Sequence, residues 1–174
     1  VEKLGSCLHR QPDWWNAGRR RRCIQSPASL FNNGMAVSVL STAVSKCSMP
    51  FSDAFIKGIL CNFLVCIAVW ISFAAKEVVS KIVGLFFPIM MFVLCGFEHS
   101  IANMYYISSG LFAKTNATYV QAATDAGVDL TNLTWGNFFS KNLLPVTLGN
   151  IVGGAICVGC AYWFIYLRKA KKAA

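Results

Sequence analysis

The longest apolar pattern in the chain is interrupted near its centre by two ionisable residues. Residues 82–97 carry no charge and residues 100–112 again carry none, so the adjacent Glu98 and His99 separate two apolar stretches. At about 1.5 Å per residue, the first stretch covers most of a hydrocarbon core that is roughly 30 Å thick. Ionisable groups at that depth are costly and usually face a protein interior or an aqueous cavity. The pattern predicts a membrane helix broken around Glu98 and His99, with a pore or transport site at the break.

Two further apolar segments are long enough to cross a membrane. Residues 54–75 follow Ser52 and Asp53, which can cap the start of a helix. Residues 143–167 form a charge-free run whose glycines allow close helix approach. Asn62 lies deep in the first segment, so it requires a hydrogen-bond partner there.

The remaining segments predict shorter or irregular structure. Residues 30–49 are mildly apolar, and they predict a short amphipathic helix that carries Lys46 and ends before Pro50. This lysine fits two interpretations, an ordinary surface residue or a cation at a pore mouth. Residues 114–141 are richer in polar side chains and predict a loop between two spans.

Composition agrees with a membrane protein. The 174 residues are 56% hydrophobic and 13% charged, whereas charged residues make up about 25% of ordinary globular domains. The net charge is +9, and four cationic residues close the chain at residues 168–172. By the positive-inside rule this tail is cytoplasmic, which places the loop at residues 114–141 outside. Nucleic-acid binding is not favoured, because the positions of the cationic residues are better explained by the ends of membrane spans and by a basic tail.

Neither the cysteines nor the histidines indicate a cofactor. The eight cysteines include five inside apolar runs, so no disulfide framework is expected. Cys157 and Cys160 have the spacing of a redox motif, but in a membrane helix we interpret them as small packing residues. With His9 outside the spans, His99 has no second histidine for haem and too few partners for a metal. We expect no catalytic residues, no metal, no cofactor and no enzyme activity.

Residues 1–28 do not continue the apolar pattern. They combine tryptophans, prolines and a cluster of four arginines at residues 19–22. They show no helical periodicity, and they lack the charged segment followed by an apolar core that marks a signal peptide. We hypothesise that this leader is an out-of-frame translation of DNA that encodes a membrane span, because a one-base shift can turn the cationic cluster into valines. A disordered leader is the alternative. Sequencing of the gene through residue 30 would distinguish them.

Three motifs carry a family resemblance. They are GILCN at residues 58–62, GFEHSIANM at 96–104 and NLLPVTLGN at 142–150. In order and spacing they resemble the C-terminal half of the formate/nitrite transporter family. The resemblance implies an all-α membrane protein with an aquaporin-like helical bundle. The chain would hold three C-terminal spans, one broken at mid-membrane, of a six-span inverted-repeat protomer.

The resemblance also implies an organisation of the chain. Residues 1–28 are a leader outside the family, and residues 29–53 are a linker with a short helix. Residues 54–168 are the transmembrane half, and residues 169–174 are the basic cytoplasmic tail. The complete protein is expected to be a homopentamer in a bacterial inner membrane that passes formate, nitrite or similar anions together with protons.

Site residues follow from the resemblance position by position. His99 corresponds to the family's central pore histidine, and the alternative is a histidine that is merely hydrogen-bonded in a helix bundle. A polar network is expected from Lys46, Asn62, Glu98 and Asn103. Apolar constrictions are expected at Val65 and Phe92.

The residue chemistry suits proton-coupled anion passage. Moving a bare anion past apolar side chains is expensive, because the charge loses its water in a medium of low dielectric constant. Histidine exchanges a proton near neutral pH, so a weak acid held against His99 could cross as a neutral molecule. Lys46 would attract anions, and Glu98 should oppose that field unless Lys46 pairs with it.

Two other functions remain open from the sequence. A neutral-solute channel of aquaporin type would share the fold, but it normally uses paired Asn-Pro-Ala sequences, and none occurs in this chain. A non-transporting remnant of a frameshifted gene would keep the motifs without an anion path. Native size and anion flux would discriminate between these functions.

Overall fold

The structure is a computed structural model that describes residues 33–167. The predictions for residues 1–28 and for the tail at residues 169–174 lie outside this range. The described residues form six helical elements without β-strands. They are α1 (Gly34–Cys47), α2 (Phe51–Ala74), α3 (Val78–Leu94), α4 (Ser100–Ala113), α5 (Ala117–Asp125) and α6, a helical run that begins at Trp135 and ends at Leu167.

Two of the described helices are long and apolar enough to cross a membrane, namely α2 and the part of α6 from Trp135 to Tyr166. Helix α3 is apolar but shorter, and none of its residues is buried. Most of the apolar surface of α2 and α6 is likewise exposed, which is typical of helices that face lipid or other spans rather than a soluble core. The contacts divide the described residues into two compact units, residues 33–48 with 104–138 and residues 49–103 with 139–167.

In the first unit, α1 has the predicted amphipathic pattern. Its buried residues follow helical spacing, and they are Ala36, Leu40, Ala43 and Cys47. Helix α1 packs against α5. It also approaches α4 closely, since a Cβ at Gly110 would overlap the Cβ of Ala43. Only glycine at this position allows the two helices to come so near.

The prediction of a loop at residues 114–141 is wrong over much of that segment. Helix α5 lies within it, and its first turn is capped by Asn116, whose Oδ1 accepts a hydrogen bond from the Thr118 amide at 3.0 Å. The start of α6 is capped in the same way by Thr134, whose Oγ1 accepts from the Asn137 amide at 3.2 Å. Asparagine and threonine are common at helix N-caps as well as in turns, so the high polar content of residues 114–141 does not by itself indicate a loop.

The residues between α5 and α6 are held by hydrogen bonds to Lys114 and Asp129. Lys114 Nζ donates to the carbonyls of Leu130 and Leu133, at 2.8 and 2.9 Å. Asp129 accepts from the amide and the hydroxyl of Thr131, both at 2.9 Å. These two hydrogen bonds lower the pKa of the Asp129 carboxyl below its ordinary value. The loop is therefore ordered by local polar contacts.

In the second unit, α2 begins three residues earlier than predicted. Pro50 occupies the N-cap position with extended backbone angles, and no side chain caps this end. The predicted capping by Ser52 and Asp53 is therefore wrong. Both residues lie in the first turn, where the Ser52 hydroxyl donates to Asp53 Oδ1 at 3.3 Å. A carboxylate in a first turn is still favourable, because it faces the positive end of the helix dipole.

Helices α2 and α6 pack closely through glycines. A Cβ at Gly149 would overlap the carbonyl oxygen of Phe55, and one at Gly153 would overlap that of Ile59. The prediction that small residues permit close helix approach is confirmed for this pair. Helix α6 alternates α-helical turns with π-helical segments, which are Phe138–Leu143, Val152–Gly159 and Trp163–Leu167.

Candidate functional site

The helix break lies at residues 95–99, as the sequence predicts. Helix α3 ends at Leu94, and Gly96 adopts a positive φ of 63° in the following turn. A left-handed residue is the common way to end a helix, and glycine adopts it without strain. The amide of Glu98 then donates to the carbonyl of Lys57 on α2 at 3.4 Å, and α4 begins at Ser100. The break is thus shorter than the polar motif and leaves Asn103 on α4.

Asn150, in the middle of α6, satisfies the backbone around the break. Its Nδ2 donates to the carbonyls of Gly58 and Glu98, at 2.9 and 3.1 Å. Its Oδ1 accepts from the amide of Ser100 at 3.0 Å, and its own carbonyl accepts from Asn62 Nδ2 at 2.7 Å. A single buried side chain therefore connects α2, the break and the start of α4. This arrangement supplies the partner that Asn62 was predicted to need.

A second group of buried polar residues surrounds the Glu98 carboxylate. Asn103 Nδ2 donates to Glu98 Oε2 at 2.5 Å and to Asn142 Oδ1 at 2.8 Å. All three side chains are at least 97% buried. A carboxylate at that depth needs hydrogen-bond donors to offset its lost hydration, and Asn103 provides one. The contact fixes the orientation of Glu98 relative to α4 and α6.

His99 lies at the end of the break and remains half-buried. Its ring centroid is 6.5 Å from that of Phe92, with 33° between the two planes. Its carbonyl accepts from the amide of Asn103 at 2.9 Å, which ties the backbone of His99 to the first turn of α4. Phe92 and Val65 are also half-buried. Their role as apolar constrictions remains a prediction.

Lys46 is on α1, in the first unit. Its Nζ lies 5.5 Å from the centroid of the Tyr106 ring, on α4 of the same unit. Its predicted pairing with Glu98 stays a prediction. Among the other residues of the predicted polar network, Asn62 donates to the Asn150 carbonyl and Asn103 donates to the Glu98 carboxylate.

The sequence did not single out Asn142, Asn150 or Tyr106 as site residues. A signal was present for Asn150, because an amide within a charge-free span must find partners inside the protein. Asn142 begins the motif at residues 142–150, but the sequence did not indicate its partner, and no signal marked Tyr106 among other aromatic residues. Over residues 33–167, no group of three or more His, Cys, Asp or Glu side chains could hold a metal ion.

Comparisons with known proteins agree with the motifs. A family model for the formate/nitrite transporter matches residues 23–164. The chain is 43% identical over 136 residues to a probable formate transporter of Methanothermobacter thermautotrophicus, an alignment that covers 78% of this chain and 43% of that protein. It is 42% identical over 140 residues to the formate channel FocA of Escherichia coli K12, covering 79% and 49% respectively. The chain thus spans about half the length of the curated relatives it matches.

The fold also matches a solved structure. A pentameric formate channel with formate bound superposes with a TM-score of 0.74 and 35% identity, covering 86% of this chain and 61% of that one. This likeness supports a helical membrane channel as the fold. The chain belongs to the formate/nitrite transporter family.

Proposed function

We propose that this chain provides the C-terminal half of a membrane path for small monovalent anions, with formate and nitrite as the leading substrates. The observation that carries the proposal is the helix break, at which Glu98 and His99 are held by buried amides. Asn150 binds the backbone on either side of His99, and Asn103 binds the Glu98 carboxylate. Such a network holds the backbone on either side of the half-buried His99. A break in regular backbone at that depth requires a protein interior or a water-filled path.

The chemistry of the path follows from the residues beside the imidazole. Val65 and Phe92 form apolar constrictions, past which a hydrated anion loses water at high cost. His99 donates a proton to the anion, and the weak acid that forms crosses the constriction as a neutral molecule and releases the proton again on the other side. Lys46 supplies positive potential that concentrates anions at the mouth, and Glu98 opposes that field unless Lys46 pairs with it. Passage is therefore proton-coupled, and His99 is its central residue.

The architecture proposed for residues 54–168 is one transmembrane half of a six-span inverted-repeat protomer. Helices α2 and α6 are two of its spans, and α3 with α4 forms the broken third. The complete protomer assembles as a homopentamer in a bacterial inner membrane. The basic tail lies in the cytoplasm, because cations are retained on that side.

Two measurements on the gene product test the proposal. Its size in native gels reports assembly, and uptake of labelled formate and nitrite into liposomes reports transport. We expect a pentamer with anion uptake that exceeds uptake of glycerol. Glycerol uptake without formate uptake would instead support a neutral-solute channel. A monomer or aggregate without uptake of either solute would identify a non-transporting remnant.

A further inference from the structure

An open groove runs between the C-terminal part of α2 and α6, within the second unit, and its volume is about 530 Å³. Its walls include six residues that define the aromatic groove, namely Cys66, Trp70 and Phe73 of α2 and Gly159, Tyr162 and Tyr166 of α6. From Cys66 to the end of α2 at Ala74, the groove extends about 12 Å along the helix, less than half of a hydrocarbon core that is roughly 30 Å thick. The aromatic groove is therefore short enough to lie within one leaflet of a bilayer.

The aromatic groove is open because α2 and α6 separate where it begins. A Cβ at Gly154 would overlap Nδ2 of Asn62, so the two helices are in contact at that level. At Gly159, one and a half turns further along α6, an added Cβ would meet only the Gly154 carbonyl among the described residues, at 3.6 Å. No atom of α2 lies within 4 Å of that position. The space over Gly159 is therefore free for a slender apolar group.

Three amphipathic aromatic side chains lie toward the C-terminal ends of both helices. The ring centroid of Trp70 is 6.2 Å from those of Tyr162 and Tyr166, edge to face in both cases, and the two tyrosine rings are 4.8 Å apart. Each of the three side chains is between 40% and 50% exposed. Tryptophan and tyrosine are enriched where a membrane meets water, because an apolar ring there carries one polar N–H or O–H group. This end of the aromatic groove is therefore suited to the level of the lipid ester groups.

Cationic residues follow both helices at the same end. Lys76 lies two residues beyond the end of α2, and Lys81 lies near the start of α3. Four further cations occupy residues 168–172, directly after α6 in the sequence. Against these six cations, residues 75–81 and 168–172 hold one carboxylate, that of Glu77. The order along the groove is thus apolar, then aromatic, then cationic.

We propose that the aromatic groove binds one acyl chain of an anionic phospholipid, whose head group lies near the cations that follow α2 and α6. Acyl chain, ester region and charged head group follow one another in such a lipid in the same order. A zwitterionic phospholipid offers the same chain without net charge, so charge complementarity favours the anionic class. A protein helix is about 10–12 Å across, so a 12 Å length of it occupies roughly 1,000 Å³ and would enter this groove only in part. Lipid binding here does not depend on which solute crosses the membrane.

The first test measures lipid binding to the purified, delipidated gene product by native mass spectrometry. The protein is titrated with phosphatidylglycerol, which is anionic, or with phosphatidylethanolamine of the same acyl chains. Gly159→Leu fills the groove, and Lys76→Gln removes one cation. Ala155→Leu is the matched control for added volume, because Ala155 is exposed on α6 and does not line the groove. Lys141→Gln is the matched control for lost charge, because Lys141 lies near the opposite end of α6.

We expect the parent to bind phosphatidylglycerol at least about fivefold more tightly than phosphatidylethanolamine. Gly159→Leu should weaken binding of both lipids about tenfold or more, because each buried methylene contributes a factor of about four in affinity. Lys76→Gln should weaken only phosphatidylglycerol binding, by about fivefold, as for one cation near a membrane surface. Both controls should match the parent. The inference is overturned if either variant binds phosphatidylglycerol like its control, or if the parent binds both lipids equally.

A second measurement does not require a groove-filling variant to fold. Phosphatidylglycerol with brominated acyl chains quenches the fluorescence of tryptophans that it contacts, and saturable quenching in detergent is compared among the parent, Trp70→Phe and Trp163→Phe. Trp163 is the matched control, because it is 53% exposed on α6 and does not line the groove. Quenching that falls in Trp70→Phe and not in Trp163→Phe would support the inference. Equal quenching in Trp70→Phe and the parent would show that another occupant, such as a protein segment, fills the groove, and the inference would fail.

Discussion

The side-chain amide of Asn150 donates a hydrogen bond to the backbone carbonyl of Glu98 at 3.1 Å, across 52 positions of sequence. The two residues belong to α6 and to the helix break. Because the same side chain also accepts from the amide of Ser100, it replaces backbone hydrogen bonds that the break removes on either side of His99. The stability of the broken helix therefore depends on a residue of a different span.

Replacing Asn150 with leucine should destabilise the protein strongly. The substitution keeps a similar volume but withdraws a partner from the carbonyls of Gly58 and Glu98 and from the amide of Ser100. Each buried polar group that loses its partner costs about 1–3 kcal/mol. Thermal unfolding in detergent measures the effect, with Ile151→Leu as control, since Ile151 is the next residue and is 51% exposed. Equal melting temperatures for the two variants would show that Asn150 does not stabilise the break.

Asn103→Leu should destabilise the protein through the Glu98 carboxylate. The variant removes the donor at 2.5 Å from Glu98 Oε2 and at 2.8 Å from Asn142 Oδ1. Hydrogen bonds to charged groups contribute about 1.5–3 kcal/mol, so the loss should exceed that of a neutral contact. The matched variant is Met104→Leu, a conservative change at the neighbouring exposed residue. An unfolding temperature for Asn103→Leu equal to that of Met104→Leu would contradict the prediction.

Glycines in α6 should differ in their tolerance of a methyl group. Gly153→Ala should lower stability by about 1–3 kcal/mol, because its Cβ would overlap the Ile59 carbonyl and force α2 and α6 apart. Gly159→Ala should be neutral or stabilising by up to about 1 kcal/mol, since its Cβ would meet only the Gly154 carbonyl, at 3.6 Å. Both are measured as unfolding temperatures of the purified protein. Equal sensitivity at the two positions would show that close helix packing does not distinguish them.

His99→Ala and His99→Phe should alter the pH dependence of formate uptake between about pH 5 and pH 8. Histidine is the side chain that ordinarily exchanges a proton in this range, and these variants remove it from the break. Phe92→Leu is the control, because it changes the apolar side chain beside the imidazole without removing a titratable group. It should change the rate and leave the pH profile as in the parent. Identical profiles for the His99 variants and the parent would make His99 structural.

Several features of this protein followed from the sequence because they depend on local pattern. The interruption of an apolar run by Glu98 and His99 predicted a broken helix, and the structure places the break at residues 95–99. The apolar segments that form α2 and α6 were likewise evident in the sequence, although α2 begins directly after Pro50, three residues before the predicted start. The polar composition of residues 114–141 led to a wrong prediction of a loop, because Asn116 and Thr134 in that segment act as helix caps.

Tertiary structure decided which polar groups meet. Hydropathy shows that Asn62 and Asn150 must be satisfied inside a membrane protein, but it does not name their partners. The partners are fixed by the approach of α2 to α6 at Gly149 and Gly153, which brings the Asn62 amide to the Asn150 carbonyl.

The same limit applies to Lys46. Its charge is visible in the sequence, whereas its placement over Tyr106 depends on the contact of Ala43 with Gly110. The sequence by itself determined the helical membrane class, the break and the residue types at it. Side-chain partners required the fold, because hydrogen bonds and ring contacts between distant residues depend on helix separation and rotation, which a one-dimensional pattern does not contain.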